Sequence, residues 1–134
     1  MALQQRKHIL FVEDDADTRG ATTAMLEHLG YRVSAKTQGL KALNIFSKQP
    51  YQYDLALVDH GMADMTGLEL ASRLRRIRPE FPVVVYTGYF DRPSSAQLKA
   101  AGMGGRIIIK PATVKELGAA LQDALGGSIT RIGG

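Results

Sequence analysis

Polar residues at the ends of four short apolar runs form the most reactive set in this chain. The apolar runs cover residues 9–12, 55–58, 83–86 and 107–109. The polar residues that follow them are Glu13 with Asp14, Asp59, Thr87 and Lys110. Three carboxylates suit a divalent cation, while a hydroxyl and an ammonium group suit the oxygens of a phosphoryl group. These residue types indicate phosphoryl chemistry on an aspartate, provided that the fold brings the four runs together.

Strand-length runs alternate with helical patterns along the chain. The four runs are rich in Val and Ile, and residues 31–35 form a weaker strand whose alternation is typical of a sheet edge. Apolar residues at helical spacing predict five helices, of which the shortest runs from near Pro93 to Gly102. Five strand–helix units predict an α/β, doubly wound, five-stranded parallel sheet of the flavodoxin-like (βα)5 type, with strand order 2-1-3-4-5.

The predicted strand order determines where the polar ends meet. Open parallel sheets bind ligands at the carboxyl ends of their strands, at the point where the strand order reverses. That point lies here between the first and third strands. Glu13 and Asp14 follow the first strand and Asp59 follows the third, so we expect these carboxylates to be neighbours although Asp14 and Asp59 are 45 residues apart (59 − 14) in the sequence.

Composition limits the classes of protein that fit. The 134 residues suffice for one domain, predicted at residues 7–125, and residues 126–134 are predicted to be a flexible glycine-rich tail. The chain has no cysteine, no membrane-length apolar run and no signal-peptide pattern, so we expect a cytoplasmic protein without a membrane partner. The net charge of +4 is too small to indicate nucleic-acid binding, and the arginines of residues 73–78 fall at a predicted helix end that favours cations.

The polar positions and their spacing resemble the receiver domain of two-component response regulators. The resemblance extends over about residues 7–125, nearly the whole chain. The matching residues are Glu13, Asp14, Arg19, Asp59, Met62, Gly67, Thr87, Gly88, Lys110 and Pro111.

This resemblance implies a function and a site. It implies that Asp59 accepts a phosphoryl group from a phosphohistidine of a histidine kinase or a histidine phosphotransfer protein. Thr87 and Lys110 would contact the phosphoryl oxygens. The implied ligands of Mg²⁺, or of another divalent cation such as Mn²⁺, are Glu13, Asp14, Asp59 and the backbone carbonyl of Gly61. The domain would then be no enzyme beyond its own phosphorylation and dephosphorylation. Phosphorylation would change its surface, and a downstream protein would bind the changed surface. A weak homodimer is left open.

Three features depart from the family pattern. Ile107 stands where the family usually has a Tyr or Phe that couples the site to the output surface. The glycine-rich loop at residues 102–106 is one residue longer than the common pattern. Ala63 replaces a proline, which should loosen the loop after Asp59 because a fixed φ angle is lost. Tyr89, just past the fourth strand, is predicted to shield an acyl phosphate from water.

Two other functions remain open from the sequence. Ile107 keeps open an interaction module that works without phosphorylation, although the acidic cluster argues against it. An aspartate nucleophile is also typical of haloacid-dehalogenase phosphatases, but these need a second Asp where this chain has Gly61. Gly61 and Gly88 are instead expected to let the backbone approach the site closely. The chain is expected to be a single-domain regulator or a receiver from a larger protein such as a hybrid histidine kinase, with no output module after residue 125.

Overall fold

Five parallel strands form one sheet in the computed structural model, which describes residues 6–103 and 106–126. The strands are β1 (His8–Val12), β2 (Arg32–Lys36), β3 (Leu55–Asp59), β4 (Val83–Gly88) and β5 (Ile107–Lys110). Their order is β2-β1-β3-β4-β5, and every neighbouring pair is parallel. The predicted fold class and strand order are confirmed. The edge strand β2 begins and ends one residue later than predicted, because it pairs with β1 as far as Val12.

Five α-helices connect and follow these strands. They are α1 (Ala16–His28), α2 (Gly39–Lys48), α3 (Gly67–Ile77), α4 (Ser95–Ala100) and α5 (Val114–Ala124). The predicted bounds of α4 were too wide, because Ser94 caps its start and the left-handed Gly102 (φ 72°) lies beyond its end. No helix within the described ranges has the length and apolar character needed to cross a bilayer. From position 127 onward, the predicted flexible tail lies outside the residues that the structure describes.

Four of the helices begin at a residue whose side chain caps them. Asp15 accepts a hydrogen bond at the start of α1. Thr66, Ser94 and Thr113 form capping boxes at the starts of α3, α4 and α5, so the local sequence encodes these helix starts. The exception is α2, whose flanking residue Gln38 makes no capping bond with its side chain.

Side chains alternate along the strands and pack into two core layers. In β1, Leu10 and Val12 join one layer, which is completed by apolar residues of α2, α3 and α4. Ile9 and Phe11 join the other layer, with apolar residues of α1 and α5. Every residue of β1 and β3 is buried, as expected for central strands covered by helices on both faces.

The parallel register brings the polar strand ends to one edge of the sheet. The aligned pairs near this edge are Val12 with Val58, Asp59 with Tyr86, Thr87 with Ile109 and Gly88 with Lys110. The residues after β1 therefore leave the sheet beside the last residue of β3, as the strand order predicted.

Candidate functional site

Three carboxylates meet at the carboxyl edge of β1 and β3. Glu13, Asp14 and Asp59 each offer one oxygen, and these oxygens all lie within 4.8 Å of one another. Glu13 is 1% exposed and Asp59 is 6% exposed, whereas Asp14 faces solvent. Anionic groups this close repel one another, so the cluster favours a compensating cation. Its oxygen donors are the type that Mg²⁺ prefers.

Lys110 places a cation inside this cluster. Its Nζ donates to Glu13 Oε1 at 2.7 Å and to Asp59 Oδ1 at 3.1 Å. The ammonium group also lies 5.2 Å from the centroid of the Tyr86 ring. The side chain of Lys110 is 22% exposed, so the ion pairs are partly shielded from water. A single lysine against three carboxylates leaves the cluster with excess negative charge.

The pKa shifts in the cluster reflect this excess. Burial raises the pKa of Glu13, and the hydrogen bond from Lys110 only partly opposes that effect. Burial by itself would lower the pKa of Lys110, but the hydrogen bond to Glu13 and the charge of Asp59 outweigh it, so the Lys110 pKa is raised. Both groups therefore hold a proton more tightly than they would in water, as expected in a cluster with excess negative charge.

Thr87 lies in the site as a buried hydroxyl. The residue is fully buried, and its Oγ1 donates to the backbone carbonyl of Gly88 at 3.3 Å. That bond is local, so the hydroxyl has no distant partner among the residues described and can rotate towards another acceptor.

Gly61 and Gly88 have open space beside their backbones, which leaves room for a bound group to approach. A Cβ built on Gly61 meets nothing within 4 Å, and one on Gly88 lies 3.7 Å from Asp91 Oδ2. A close approach within the protein itself occurs at Gly67, where a Cβ would lie 2.8 Å from the backbone oxygen of Asp59. Spacing alone did not reveal this contact, because it depends on how the first turn of α3 packs under the end of β3.

Hydrogen bonds tie the loop after Asp59 to its neighbours even though Ala63 replaces a proline. The Ala63 amide donates to Asp14 Oδ2 at 3.2 Å. Asp64 accepts from the amides of Gly39 at 3.1 Å and Leu40 at 2.9 Å, so it caps the start of α2. The loss of the proline is therefore offset by bonds that anchor this loop on both sides.

Arg19 supports the acidic loop from α1. Its Nη1 donates to the backbone oxygen of Glu13 at 2.9 Å and to that of Asp14 at 3.3 Å. In the sequence, Arg19 matched the family pattern, but no role could be assigned to its side chain. The structure shows a positioning residue that holds the turn from which both carboxylates project.

The remaining singled-out residues lie around the site with different partners. Ile107 is half-buried and packs against the core layer under α2, α3 and α4. Tyr89 is 56% exposed, and its ring lies 3.6 Å from the Arg92 guanidinium and 5.4 Å from Phe90, measured between ring centroids for the aromatic pair. Within the described residues, His60 does not join the carboxylate cluster. Positions 104 and 105 of the glycine-rich loop lie outside the described residues.

Fold and site together define the class of protein: a flavodoxin-like α/β domain with an acid–lysine cluster at the switch point of its sheet. The model of the response regulator receiver domain matches residues 9–122 of this chain. The chain therefore belongs to the response regulator receiver family, the signalling domains of two-component systems. The resemblance in the sequence is confirmed.

Similar proteins include transcriptional regulators and receiver proteins. The transcriptional regulatory protein ZraR of Klebsiella oxytoca is 32% identical over 118 residues, which are 87% of this chain and 26% of that protein. The response regulator receiver protein CpdR of Brucella abortus is 36% identical over 83 residues, 62% of this chain and 68% of that protein. A CheY-like receiver structure from Methanospirillum hungatei is 28% identical, with a TM-score of 0.80 over 95% of this chain and 99% of that one. The chain thus spans about a quarter (26%) of a regulator such as ZraR.

Proposed function

We propose that the chain acts as a phosphoacceptor in a two-component phosphorelay, with Asp59 as the residue that is phosphorylated. The observation that carries this proposal is the position of Lys110 Nζ, 2.7 Å from Glu13 and 3.1 Å from Asp59. A fixed cation between two buried carboxylates offsets the charge that builds up when a carboxylate attacks an anionic phosphoryl donor. The exposed Asp14 beside them leaves the cluster open on one side.

In the proposed reaction, an oxygen of Asp59 attacks the phosphorus of a phosphohistidine. A P–O bond forms and the P–N bond breaks, and the imidazole nitrogen of the donor keeps the electron pair. Lys110 is close enough to Asp59 to contact the transferred group. The Thr87 hydroxyl can turn from the Gly88 carbonyl towards a phosphoryl oxygen. The aspartyl phosphate adds about one unit of negative charge and strong hydrogen-bond acceptors to the site.

A divalent cation fits the donor set of the cluster. We propose that Glu13, Asp14 and Asp59 hold Mg²⁺, or Mn²⁺ in its place, together with the backbone carbonyl of Gly61. When bound, the ion supplies Lewis-acid stabilisation of the negative oxygens around the phosphorus. Arg19 keeps the turn that carries Glu13 and Asp14 in position, so the ligands are arranged before the ion arrives.

The family suggests the proposed partners. The phosphoryl donor would be a histidine kinase or a histidine phosphotransfer protein, and the phosphorylated surface would be read by a downstream protein. We propose that the domain covers residues 7–125 and works in the cytoplasm. Two arrangements fit the proposal: a single-domain regulator and a receiver within a longer protein such as a hybrid histidine kinase.

Intact mass tests the proposal directly. The protein is incubated with Mg²⁺ and acetyl phosphate, and we expect the mass of one added phosphoryl group. Asp59→Asn should abolish the gain, whereas the matched control Asp17→Asn, an exposed acid in the first turn of α1, should leave it unchanged. Chelation of the metal should suppress the gain as well. A wild-type protein that gains no phosphoryl group would refute the proposal, and a gain that survives Asp59→Asn would move the acceptor to another residue.

One observation favours a second function, an interaction module that works without phosphorylation. Ile107 has an aliphatic side chain packed against the core, so it lacks the ring through which the family usually transmits the phosphorylated state. Amide spectra recorded with and without beryllofluoride separate the two functions. Shifts confined to the loops around Asp59 would favour this module, while shifts that extend to a helix surface would favour phosphorylation-dependent signalling.

A further inference from the structure

A groove between α2 and α3 lies outside the carboxylate site. It is an open groove of about 610 Å³, lined by apolar side chains from both helices and by cationic side chains from α3. Leu40 and Leu43 contribute from α2, and Ile77 contributes from the end of α3. Arg73 and Arg76 lie along the α3 side of the groove.

The groove exposes apolar surface that the fold does not cover. Leu40 is 55% exposed and Ile77 is 39% exposed, and they are two of the five large hydrophobic residues exposed in the described part of the chain. Single exposed apolar residues are ordinary on protein surfaces, but a pair that lines one concave groove marks a binding surface.

Positive charge is concentrated on the same two helices. α2 and α3 carry five cations, Lys41, Lys48, Arg73, Arg75 and Arg76, against the single acid Glu69. Their net charge of +4 equals that of the whole chain, so the rest of the sequence is neutral on balance. Neither Arg73 nor Arg76 forms an ion pair within residues 6–103 and 106–126.

We propose that this α2–α3 groove binds an amphipathic, acidic helix of another protein. Apolar residues of the incoming helix at positions i, i+3 or i+4, and i+7 would cover Leu40, Leu43 and Ile77. Carboxylates flanking that apolar stripe would pair with Arg73 and Arg76, whose planar guanidinium groups match carboxylate geometry. The inference does not depend on the proposed phosphotransfer, because every group involved lies on the helices and none lies in the carboxylate cluster.

Charge and shape argue against two other occupants. A symmetric pair of copies would place the same patch on both sides of the interface, so two positively charged surfaces would face each other. A nucleic acid would engage the arginines but would leave Leu40 and Ile77 uncovered, since phosphate contacts dominate that kind of binding. The acidic helix is the occupant that contacts both the apolar side chains and the arginines of the groove.

Binding is measured on unphosphorylated protein with synthetic fluorescent helices. One probe carries a leucine stripe flanked by glutamates, and the second carries the same stripe flanked by lysines. We expect saturable anisotropy for the glutamate probe only, with amide shifts confined to α2 and α3. The double variant Arg73→Glu/Arg76→Glu should weaken the glutamate probe roughly tenfold or more, since two attractive pairs become repulsive. That variant should also gain affinity for the lysine probe.

Matched variants distinguish the proposed occupant from the others. Lys99→Glu/Lys115→Glu makes the same charge change on exposed residues of α4 and α5 and should leave the affinity within about twofold. Leu40→Ser and Ile77→Ser change exposed side chains, so both should fold and each should weaken the glutamate probe several-fold.

Four outcomes would overturn the inference. The first is an absence of saturable binding by the glutamate probe. The second is amide shifts that map outside α2 and α3. The third is tighter binding of duplex DNA than of the glutamate probe, with Leu40→Ser leaving DNA affinity unchanged, which would assign the surface to nucleic acid. The fourth is a dimer of the free protein that disappears in Ile77→Ser, which would assign the groove to a second copy of the chain.

Discussion

Removing the carboxylate of Asp64 tests how the loop after Asp59 is attached to α2. In the variant Asp64→Ala, the amides of Gly39 and Leu40 lose acceptors that now lie at 3.1 and 2.9 Å. Gln38 makes no capping bond with its side chain, so α2 has no local substitute. The loss of a capping carboxylate typically costs about 1 kcal/mol, within a range of about 0.5–2. Two amides are affected here, but Asp64 is exposed and water replaces part of the loss.

We therefore expect Asp64→Ala to lower the free energy of unfolding by about 1–1.5 kcal/mol. Urea denaturation measures this as a fall of about 0.5–1 M in the midpoint, with an unchanged slope. Asp17→Ala is the matched control, because Asp17 also lies in the first turn of a helix and is exposed. It should cost clearly less, since it removes only the interaction of its charge with the helix dipole.

Hydrogen exchange and pH give two further readouts of the same contact. The amides of Gly39 and Leu40 should exchange faster in Asp64→Ala than in the wild type, while amides in β3 keep their protection. Burial opposes ionisation of Asp64, but hydrogen bonds from the backbone, led by those of Leu40 and Gly39, together outweigh it and lower its pKa. The contribution of Asp64 to stability is thus complete above about pH 4 and disappears as the pH falls through the lowered pKa. Equal midpoints for Asp64→Ala and the wild type, with unchanged exchange at both amides, would refute this reasoning.

Three other predictions concern a buried histidine, two glycines and an aromatic residue. Burial lowers the pKa of both His8 and His60, so unfolding by urea should become easier as the pH falls below about 6.5 and should level off below the lowered pKa values. His8→Asn should reduce this slope, and the part that remains belongs to His60. Gly67→Ala should cost about 1–3 kcal/mol in urea because its Cβ would lie 2.8 Å from a backbone oxygen, whereas Gly61→Ala should be tolerated. If Asp59 is phosphorylated, Tyr89→Ala should speed the loss of phosphate in timed mass spectra.

Each of these predictions has a control and a contrary result. For the histidines, the exposed His28→Asn should keep the full pH slope, and an undiminished slope in His8→Asn would contradict the assignment. For the glycines, equal stability of both alanine variants would show that the backbone at Gly67 can shift freely. For the aromatic residue, Phe90→Ala is the control because that side chain is 95% exposed, and an unchanged lifetime in Tyr89→Ala would count against shielding.

The sequence predicted the parts of this structure that depend on local pattern and strand order. Apolar runs located β1, β3, β4 and β5 to within one or two residues, because strands covered by helices on both faces are apolar throughout. The switch point then predicted that Glu13, Asp14 and Asp59 lie together. The predicted bounds of β2 lie one residue too early at both ends, because the alternating pattern of this edge strand defines its ends less sharply.

Contacts between distant segments could not be predicted in the same way. Helix caps are usually recognised within four residues of a helix start, yet Asp64 caps α2 from 24 and 25 residues away. The tight position at Gly67 was not predicted either, since packing and not spacing determines which glycine lacks room for a side chain. Arg19 matched the family pattern, but only the folded chain shows which carbonyl groups it binds.

The anchoring of the loop on α2 also restricts which substitutions the chain can accept, and in what order. A Cβ on Gly39 would lie 2.6 Å from the Met65 side chain, while Asp64 bonds the Gly39 amide. Residues 39, 64 and 65 are therefore coupled, and their effects on stability should not add in combined variants. A lineage that loses the carboxylate at position 64 keeps the full stability of α2 only if a capping side chain has first replaced Gln38. The order of these two changes therefore decides whether the chain passes through a less stable form before the loop after Asp59 can evolve independently of α2.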